Sequence, residues 1–153
     1  MIFFRQTVRI AMVSGLVAFA TCTPAQNPAS NNIAALTSRL SGASEVPPNE
    51  SNAKGDLQAT LDKGSRTLKW TLAVSGLSGP PTGASFHGPA APGENGSVAA
   101  TLPVTGSPTD NGVVTLSQSQ MDDLLAGRWY VNVATAANPG GEIRGQLMIG
   151  PQH

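Results

Sequence analysis

Few side chains in this sequence are suited to metal chemistry, and the first is His87. The other histidine, His153, is the last residue, so the body of the chain offers a single imidazole. Zinc and copper sites generally need three or four ligands, and the nearest acidic candidates are Glu94 and Asp110, both in predicted loops. We therefore expect His87 to order its loop through hydrogen bonds, with metal binding through His87 as the alternative. We predict no cofactor.

Nucleophilic and acid–base catalysis have little support either. Serine and threonine are abundant, but there is no Gly-x-Ser-x-Gly motif. Asp122 and Asp123 are adjacent, so on a helix their side chains point about 100° apart and cannot form a catalytic pair. Glu142 and Arg144 are two apart on a predicted strand and share a face, where a charge partner such as Glu45 could lie opposite. We predict structural roles for them and no enzymatic activity.

The elements that must position these residues are strands. In residues 67–74, Leu68, Trp70 and Leu72 alternate with polar residues, which predicts a strand with one buried face and one exposed face. Trp70 and Trp129 both fall in register with aliphatic residues. We expect both rings to pack in the core rather than to form a carbohydrate-binding platform.

Shorter stretches of the same alternation are separated by turns rich in proline and glycine. They predict strands near residues 57–61, 83–87, 97–103, 112–116, 129–135 and 142–149. Residues 62–65 form a short, glycine-containing hairpin link between the strand near residues 57–61 and the strand at residues 67–74. Binding residues would lie in the surface loops, at 79–83, 89–96 and 105–112.

One segment breaks this pattern and predicts a helix. Ser117 and Gln120 form a Ser-x-x-Gln capping box, and Leu124 and Leu125 can face a core. We place a short helix at about 118–126. Seven or eight strands with one helix predict an all-β fold, an antiparallel Greek-key β-sandwich.

The first 25 residues have the features of a secretory signal peptide. Arg5 and Arg9 precede an apolar stretch at residues 10–20, followed by small residues. As a helix this stretch would reach only about 17 Å, short of a hydrocarbon core of about 30 Å, so we predict no transmembrane segment.

Two cleavage sites fit, after Ala20 and after Ala25. An alternative makes Cys22 the lipidated first residue of an envelope lipoprotein. In either case we expect an exported protein, periplasmic or secreted, or else anchored to the envelope by lipid. Beyond the signal peptide we expect a spacer at 26–32, a folded domain at 33–149 and a tail at 150–153.

Composition and charge narrow the class of partner. The chain has 153 residues with 12 Pro, 17 Gly and 12% charged residues, which disfavours a helical bundle. Its net charge is +0, and removing the leader with its two arginines leaves −2. Nucleic acid and anionic lipid both require a basic patch, so both are poor partners for this chain. We predict no nucleic-acid partner and expect an extracellular or envelope ligand of unknown kind.

Several segments, in order, resemble the CHRD domain, the module repeated in chordin and found singly in exported bacterial proteins. They are residues 40–48, 74–77, 86–93, 130–133 and 135–147. The motif positions that we single out are Glu45, Pro47, Pro48, Gly88, Pro89, Gly140, Gly141, Glu142 and Arg144. The resemblance covers about residues 34–148.

The resemblance implies an all-β domain outside the cytoplasm, in a family known more by sequence and location than by activity. Many members carry His-x-His-Gly-Pro-Ala and a further strand histidine, which together could bind a metal. In this chain Ser85 and Ala134 stand at two of those positions, and only His87 remains. We therefore expect a non-enzymatic module that acts by binding or matrix-type interaction, with a copper-type metal or redox protein as the alternative.

Overall fold

The structure is a computed structural model that describes residues 32–150. The predicted signal peptide, Cys22 and His153 lie outside the described residues. Within them the chain forms nine strands, one 3-10 turn at Gly42–Ser44 and one helix, α1 at Gln118–Leu125. The strands are β1 Ile33–Ser41, β2 Lys54–Asp62, β3 Thr67–Ser75, β4 Pro81–His87, β5 Val98–Leu102, β6 Thr109–Thr115, β7 Tyr130–Thr135, β8 Ile143–Gln146 and β9 Met148–Ile149.

All strand pairs are antiparallel, and the hydrogen-bonded order is β5-β4-β7-β8-β1-β2-β3-β6, with β9 beside β1. The two halves of the sheet meet where Ser41 of β1 pairs with Arg144 of β8. The sheet folds onto itself as a nearly closed barrel or sandwich. The predicted all-β class is confirmed, with nine strands rather than seven or eight, and the connectivity is compatible with a Greek key.

The core lies between the inward faces of the two halves. Trp70 is 4% exposed, and its neighbours in the adjacent strands are the small residues Ala59 and Gly112. A Cβ atom on Gly112 would lie only 2.6 Å from the indole ring, so the glycine leaves the space that the ring occupies. Trp129 is 1% exposed and packs beside Phe86, with ring centroids 5.8 Å apart. Both tryptophans are core residues, as the alternation predicted.

The helix α1 begins with the predicted capping box. The backbone N–H of Gln120 donates to Ser117 Oγ at 3.2 Å, and the backbone N–H of Ser117 donates to Gln120 Oε1 at 2.9 Å. Met121 and Leu124 are buried, and Leu125 is partly buried against the core. No helix in residues 32–150 is long and apolar enough to cross a membrane.

Candidate functional site

The outer face of β4, β7 and β8 carries polar side chains whose proximity the sequence pattern does not predict. Cross-strand pairing places them in two neighbouring rows, Ser85–Asn132–Arg144 and His87–Tyr130–Gln146. Because side chains alternate along a strand, all six lie on the face opposite the core.

Residues 88–97, which we call the proline loop, are fastened to this face. The backbone N–H of Gly96 donates to Tyr130 Oη at 3.1 Å, and Gln146 Nε2 donates to the carbonyl of Ala90 at 3.1 Å. Arg144 donates to Asn95 Oδ1 at 2.9 Å and to the carbonyl of Glu94. The outer face therefore holds the loop through its side chains.

His87 uses both ring nitrogens in this arrangement. Nδ1 lies 3.0 Å from the carbonyl oxygen of Gly96, and Nε2 lies 2.9 Å from Ser85 Oγ. A carbonyl can only accept, so Nδ1 carries a proton; in the neutral ring Nε2 then accepts from the Ser85 hydroxyl. His87 thus bonds to the loop that follows its strand.

The residues present at His87 do not fit a metal ion. Ser85 lies beside His87 on the outer face, and Ala134, which pairs with Gly83, lies on that same face of β7. Both positions lack an imidazole. In the part of the chain that the structure describes, no three His, Cys, Asp or Glu side chains come together as metal ligands.

The two acidic candidates near His87 in the sequence have local partners instead. Glu94 Oε2 accepts from the backbone N–H of Ala91 at 3.2 Å. Asp110 is buried and accepts from Thr105 Oγ1 at 2.6 Å. Glu94 therefore orders the loop in which it lies. Asp110 was predicted in a loop but lies in β6, from which it holds the segment before that strand.

The Arg144 guanidinium stacks on an aromatic ring. Its central carbon lies 3.5 Å from the centroid of Tyr130, and the His87 ring stacks on Tyr130 with centroids 4.8 Å apart and planes 7° apart. Because β7 lies between β4 and β8, His87 and Arg144 approach Tyr130 from opposite sides. Arg144 is only 2% exposed, and no carboxylate of residues 32–150 lies within 4.0 Å of it.

Glu45 approaches the same face from the segment that follows β1. It is 6% exposed; Oε2 accepts from Asn132 Nδ2 at 3.3 Å, while Oε1 has no hydrogen-bond partner among the described residues. Burial raises the pKa of Glu45 to about 7, although the positive charge of Arg144 acts in the opposite direction. Gly141, with φ +135°, leaves room for this carboxyl group, because a Cβ there would lie 2.7 Å from Oε1.

An open groove of about 410 Å³ runs between the segment after β1 and the proline loop. Arg144 and Gln146 of β8 contribute to it together with Glu45. Its apolar lining comes mainly from Ala43, Val46, Pro48 and Pro92. We call it the Glu45 groove. It combines a buried carboxyl group and a buried cation with a mostly apolar wall.

Two of the three predicted binding loops lie elsewhere. Residues 79–81 and 106–108 line a second cleft of about 450 Å³, together with Val74 and Leu77. Only the proline loop contributes to the Glu45 groove. None of the described residues that line the second cleft is charged.

Glu142 is also buried but belongs to a different network. Its carboxylate accepts from the Ser78 backbone N–H at 2.9 Å, and from the hydroxyls of Ser78 at 2.6 Å, Thr135 at 2.6 Å and Ser51 at 2.7 Å. Burial alone would raise its pKa, but these hydrogen bonds outweigh burial and lower the pKa to about 2. Glu142 therefore joins three segments of the chain instead of facing Glu45.

Tyr130, Asn132 and Asn95 are the site residues that sequence reasoning missed. The alternation along β7 contained a signal, since Tyr130 and Asn132 alternate with Val131 and Val133. No sequence pattern indicated that Asn95 would meet Arg144.

The fold and the groove define the class of protein: a small antiparallel β-domain with one polar outer face covered by a loop. The family model of the CHRD domain matches residues 36–147, so the chain belongs to the CHRD family. No curated protein and no solved structure matches the chain.

Proposed function

We propose that this protein is an exported module that binds a ligand in the Glu45 groove, in the cell envelope or outside the cell, without catalysing a reaction. The observation that carries the proposal is Glu45, a carboxyl group more than nine-tenths buried that keeps one oxygen without a hydrogen-bond partner in residues 32–150. An unsatisfied buried polar group costs about 1–3 kcal/mol. Oε1 is itself buried, so a ligand that supplied the missing partner would draw the carboxyl group toward the groove and recover part of that cost.

The lining of the groove suggests the chemistry of the ligand. Val46, Pro48 and Pro92 offer apolar surface, and Glu45 offers a hydrogen-bond donor when protonated and an acceptor when ionised. A volume of about 410 Å³ lies toward the lower end of the usual range for small-molecule sites, about 300–1,000 Å³. A small molecule with an apolar body and one or two groups that can both donate and accept hydrogen bonds, such as an amide or an alcohol, fits this description.

Export rests on the leader, with its two arginines and apolar stretch. The proposal that the protein catalyses no reaction rests on the contacts of His87. Ser85 and His87 lie at the distance of a nucleophile and its base, but Nδ1 bonds to a carbonyl of the proline loop and not to a carboxylate that would stabilise a charged ring. Neither residue lines the Glu45 groove. We therefore assign the Ser85–His87 pair to holding that loop.

Ligand binding can be tested by NMR titration with a mixture of small amides, alcohols and amines. We expect chemical-shift changes at residues 43–48 and 92–93, and affinity at least tenfold lower in Glu45→Gln. Glu50→Gln, an exposed carboxyl group five residues away, is the matched control and should bind as the wild type does. Changes confined to the second cleft would contradict the proposal, as would an envelope-extract pull-down that repeatedly returns nothing above background.

The metal alternative has a separate test. Elemental analysis of the purified protein should show no stoichiometric metal, because a single imidazole is present at the site. A stoichiometric metal that is lost in His87→Ala would overturn the non-metal proposal.

A further inference from the structure

We propose that two copies of this chain associate through β6, edge to edge and antiparallel, to form one continuous sheet across a twofold axis. The inference concerns the free edge of the sheet and is independent of the Glu45 groove. It starts from the fact that β6 pairs with β3 on one side only and ends the strand order of the described sheet.

The backbone groups at this edge can be assigned. The N–H of Val74 donates to the carbonyl of Pro108, and the N–H of Leu116 donates to the carbonyl of Arg66. Even-numbered residues of β6 therefore direct their N–H and C=O groups toward β3. Asn111, Val113 and Thr115 direct theirs toward the free edge.

The β6 edge lacks the devices that usually prevent edge pairing. Its residues, Thr-Asp-Asn-Gly-Val-Val-Thr, include no lysine and no proline, and its pairing with β3 is unbroken by a bulge. The one charged residue, Asp110, is buried and bonded to Thr105. Val113 is 63% exposed, so a β-branched side chain that favours strand pairing is available at this edge.

The opposite edge of the sheet is guarded. Gln120 of α1 donates through Nε2 to the carbonyl of Ala99 in β5 at 3.1 Å, and the β4–β5 register is irregular between Phe86 and His87, which discourages further pairing. Val98 in β5 is 59% exposed, almost the same as Val113. The two edges thus differ in protection while presenting a similar exposed valine.

A second copy is the partner that the residues of β6 suit best. Antiparallel pairing centred on Val113 would place Val113 opposite Val113 and Asn111 opposite Thr115, so no charges oppose each other. The nearest cation, Lys69, lies opposite Val113 on β3. The two copies of Lys69 would be three strand spacings apart, about 14 Å, which exceeds the Debye length of about 8 Å at physiological salt.

Such an interface is small, well under the roughly 1,200 Å² of stable complexes, so the dimer should be weak. We expect a dissociation constant on the order of 10 µM to 1 mM. Sedimentation velocity of the purified protein from about 10 µM to about 1 mM would then show a concentration-dependent dimer.

Two substitutions of matched exposure test the edge. Val113→Lys sets two like charges opposite each other and should weaken dimerisation at least tenfold, whereas Val98→Lys on the guarded edge should leave it unchanged. Val113→Thr, neutral and β-branched, should retain the dimer. The proposal is overturned by a wild type that stays monomeric at 1 mM, by dimers that persist in Val113→Lys, or by equal loss in both lysine variants.

Amide exchange keeps the test decisive if a variant misfolds. In the wild type, the N–H groups of Asn111 and Val113 should exchange more slowly at high protein concentration, because pairing protects them. The N–H of Val114 already faces β3 and should exchange at the same rate at both concentrations. Unchanged exchange at Asn111 and Val113 would overturn the proposal.

Discussion

The carboxyl group of Glu45 makes the stability of this protein depend on pH near neutrality. Its pKa is about 7 in the folded protein and 4.5 as the ordinary value, so between these values the folded state keeps a proton that the unfolded state releases. The contribution of Glu45 to the free energy of unfolding is therefore fully present below pH 4.5. It falls as the pH rises toward 7, by at most about 1.4 kcal/mol per pH unit.

Glu45→Gln removes this titration. We expect the stability of the variant relative to wild type to increase between pH 5 and pH 8, as measured by urea unfolding at each pH. Glu142 titrates only below this window, so it does not obscure the comparison. A difference between variant and wild type that stays constant with pH would show that Glu45 ionises normally.

A second prediction concerns the centre of β3. Trp70→Ala removes a large ring from a close-packed interior and should cost roughly 3–5 kcal/mol. Lys69, the adjacent residue on the exposed face, should cost no more than about 0.5 kcal/mol when changed to alanine. Urea titrations give both values, and equal losses would mean that the facing of β3 is wrong.

For individual residues, the sequence predicts which side chains lie in the core better than it predicts which side chains form the Glu45 groove. Alternation alone assigns Trp70 and Trp129 to the interior, because burial on a strand is a local pattern. The groove depends on contacts between distant segments: Glu45 meets Asn132 across 87 positions, and Arg144 meets Asn95 across 49. No local spacing encodes those contacts.

The elements differ in how far their bounds follow from the sequence. The capping box predicts the helix α1 to within one residue, because capping is a local signal. β6 begins at Thr109, three residues before the predicted start, because Asp110 is polar at an inward position and interrupts the alternation. The sequence pattern does not predict β1 as a separate strand. The last predicted strand is divided at Leu147, whose N–H donates to the carbonyl of Trp129.

The proline loop depends on Arg144, and this dependence can be measured. Arg144→Lys keeps a positive charge near Tyr130 but cannot make both fork contacts to Asn95 and Glu94, so we expect a loss of about 1–3 kcal/mol. Amide exchange in residues 88–97 should become faster while exchange in the β2–β3 pair stays slow.

Arg39→Lys is the control for that variant. Arg39 is exposed, and its only ionic contact among the described residues is to Asp56 at 4.0 Å, so the change should be nearly neutral. Slower or unchanged exchange in the proline loop of Arg144→Lys would show that the loop is held by other contacts.

For the whole molecule, the leader predicts processing and export. The intact mass of the protein recovered from the envelope or the medium should lack about the first 20–25 residues. A diacylated mass beginning at Cys22, with partition into detergent, would select the lipoprotein alternative. A full-length species confined to the cytosol would contradict export.

The stability of the whole domain in acid depends on Glu142, because this carboxylate joins segments far apart in the sequence. It accepts from Ser51 and Ser78, which lie 91 and 64 positions away, and from Thr135 at the end of β7. Its pKa is lowered to about 2, so its contribution is fully present above pH 4.5 and is lost as the pH falls from 4.5 toward 2.

Glu142→Gln keeps the shape but replaces an acceptor with an amide donor that faces the donors of Ser78 and Thr135. We expect a loss of about 3–5 kcal/mol at pH 7, as for a broken buried charged network. The gap between variant and wild type should narrow as pH falls below 4.5, since the wild type then loses its own carboxylate. Glu50→Gln, at an exposed position, should track the wild type in urea titrations at every pH. If Glu142→Gln is as stable as Glu50→Gln at pH 7, the three segments are held together by packing alone.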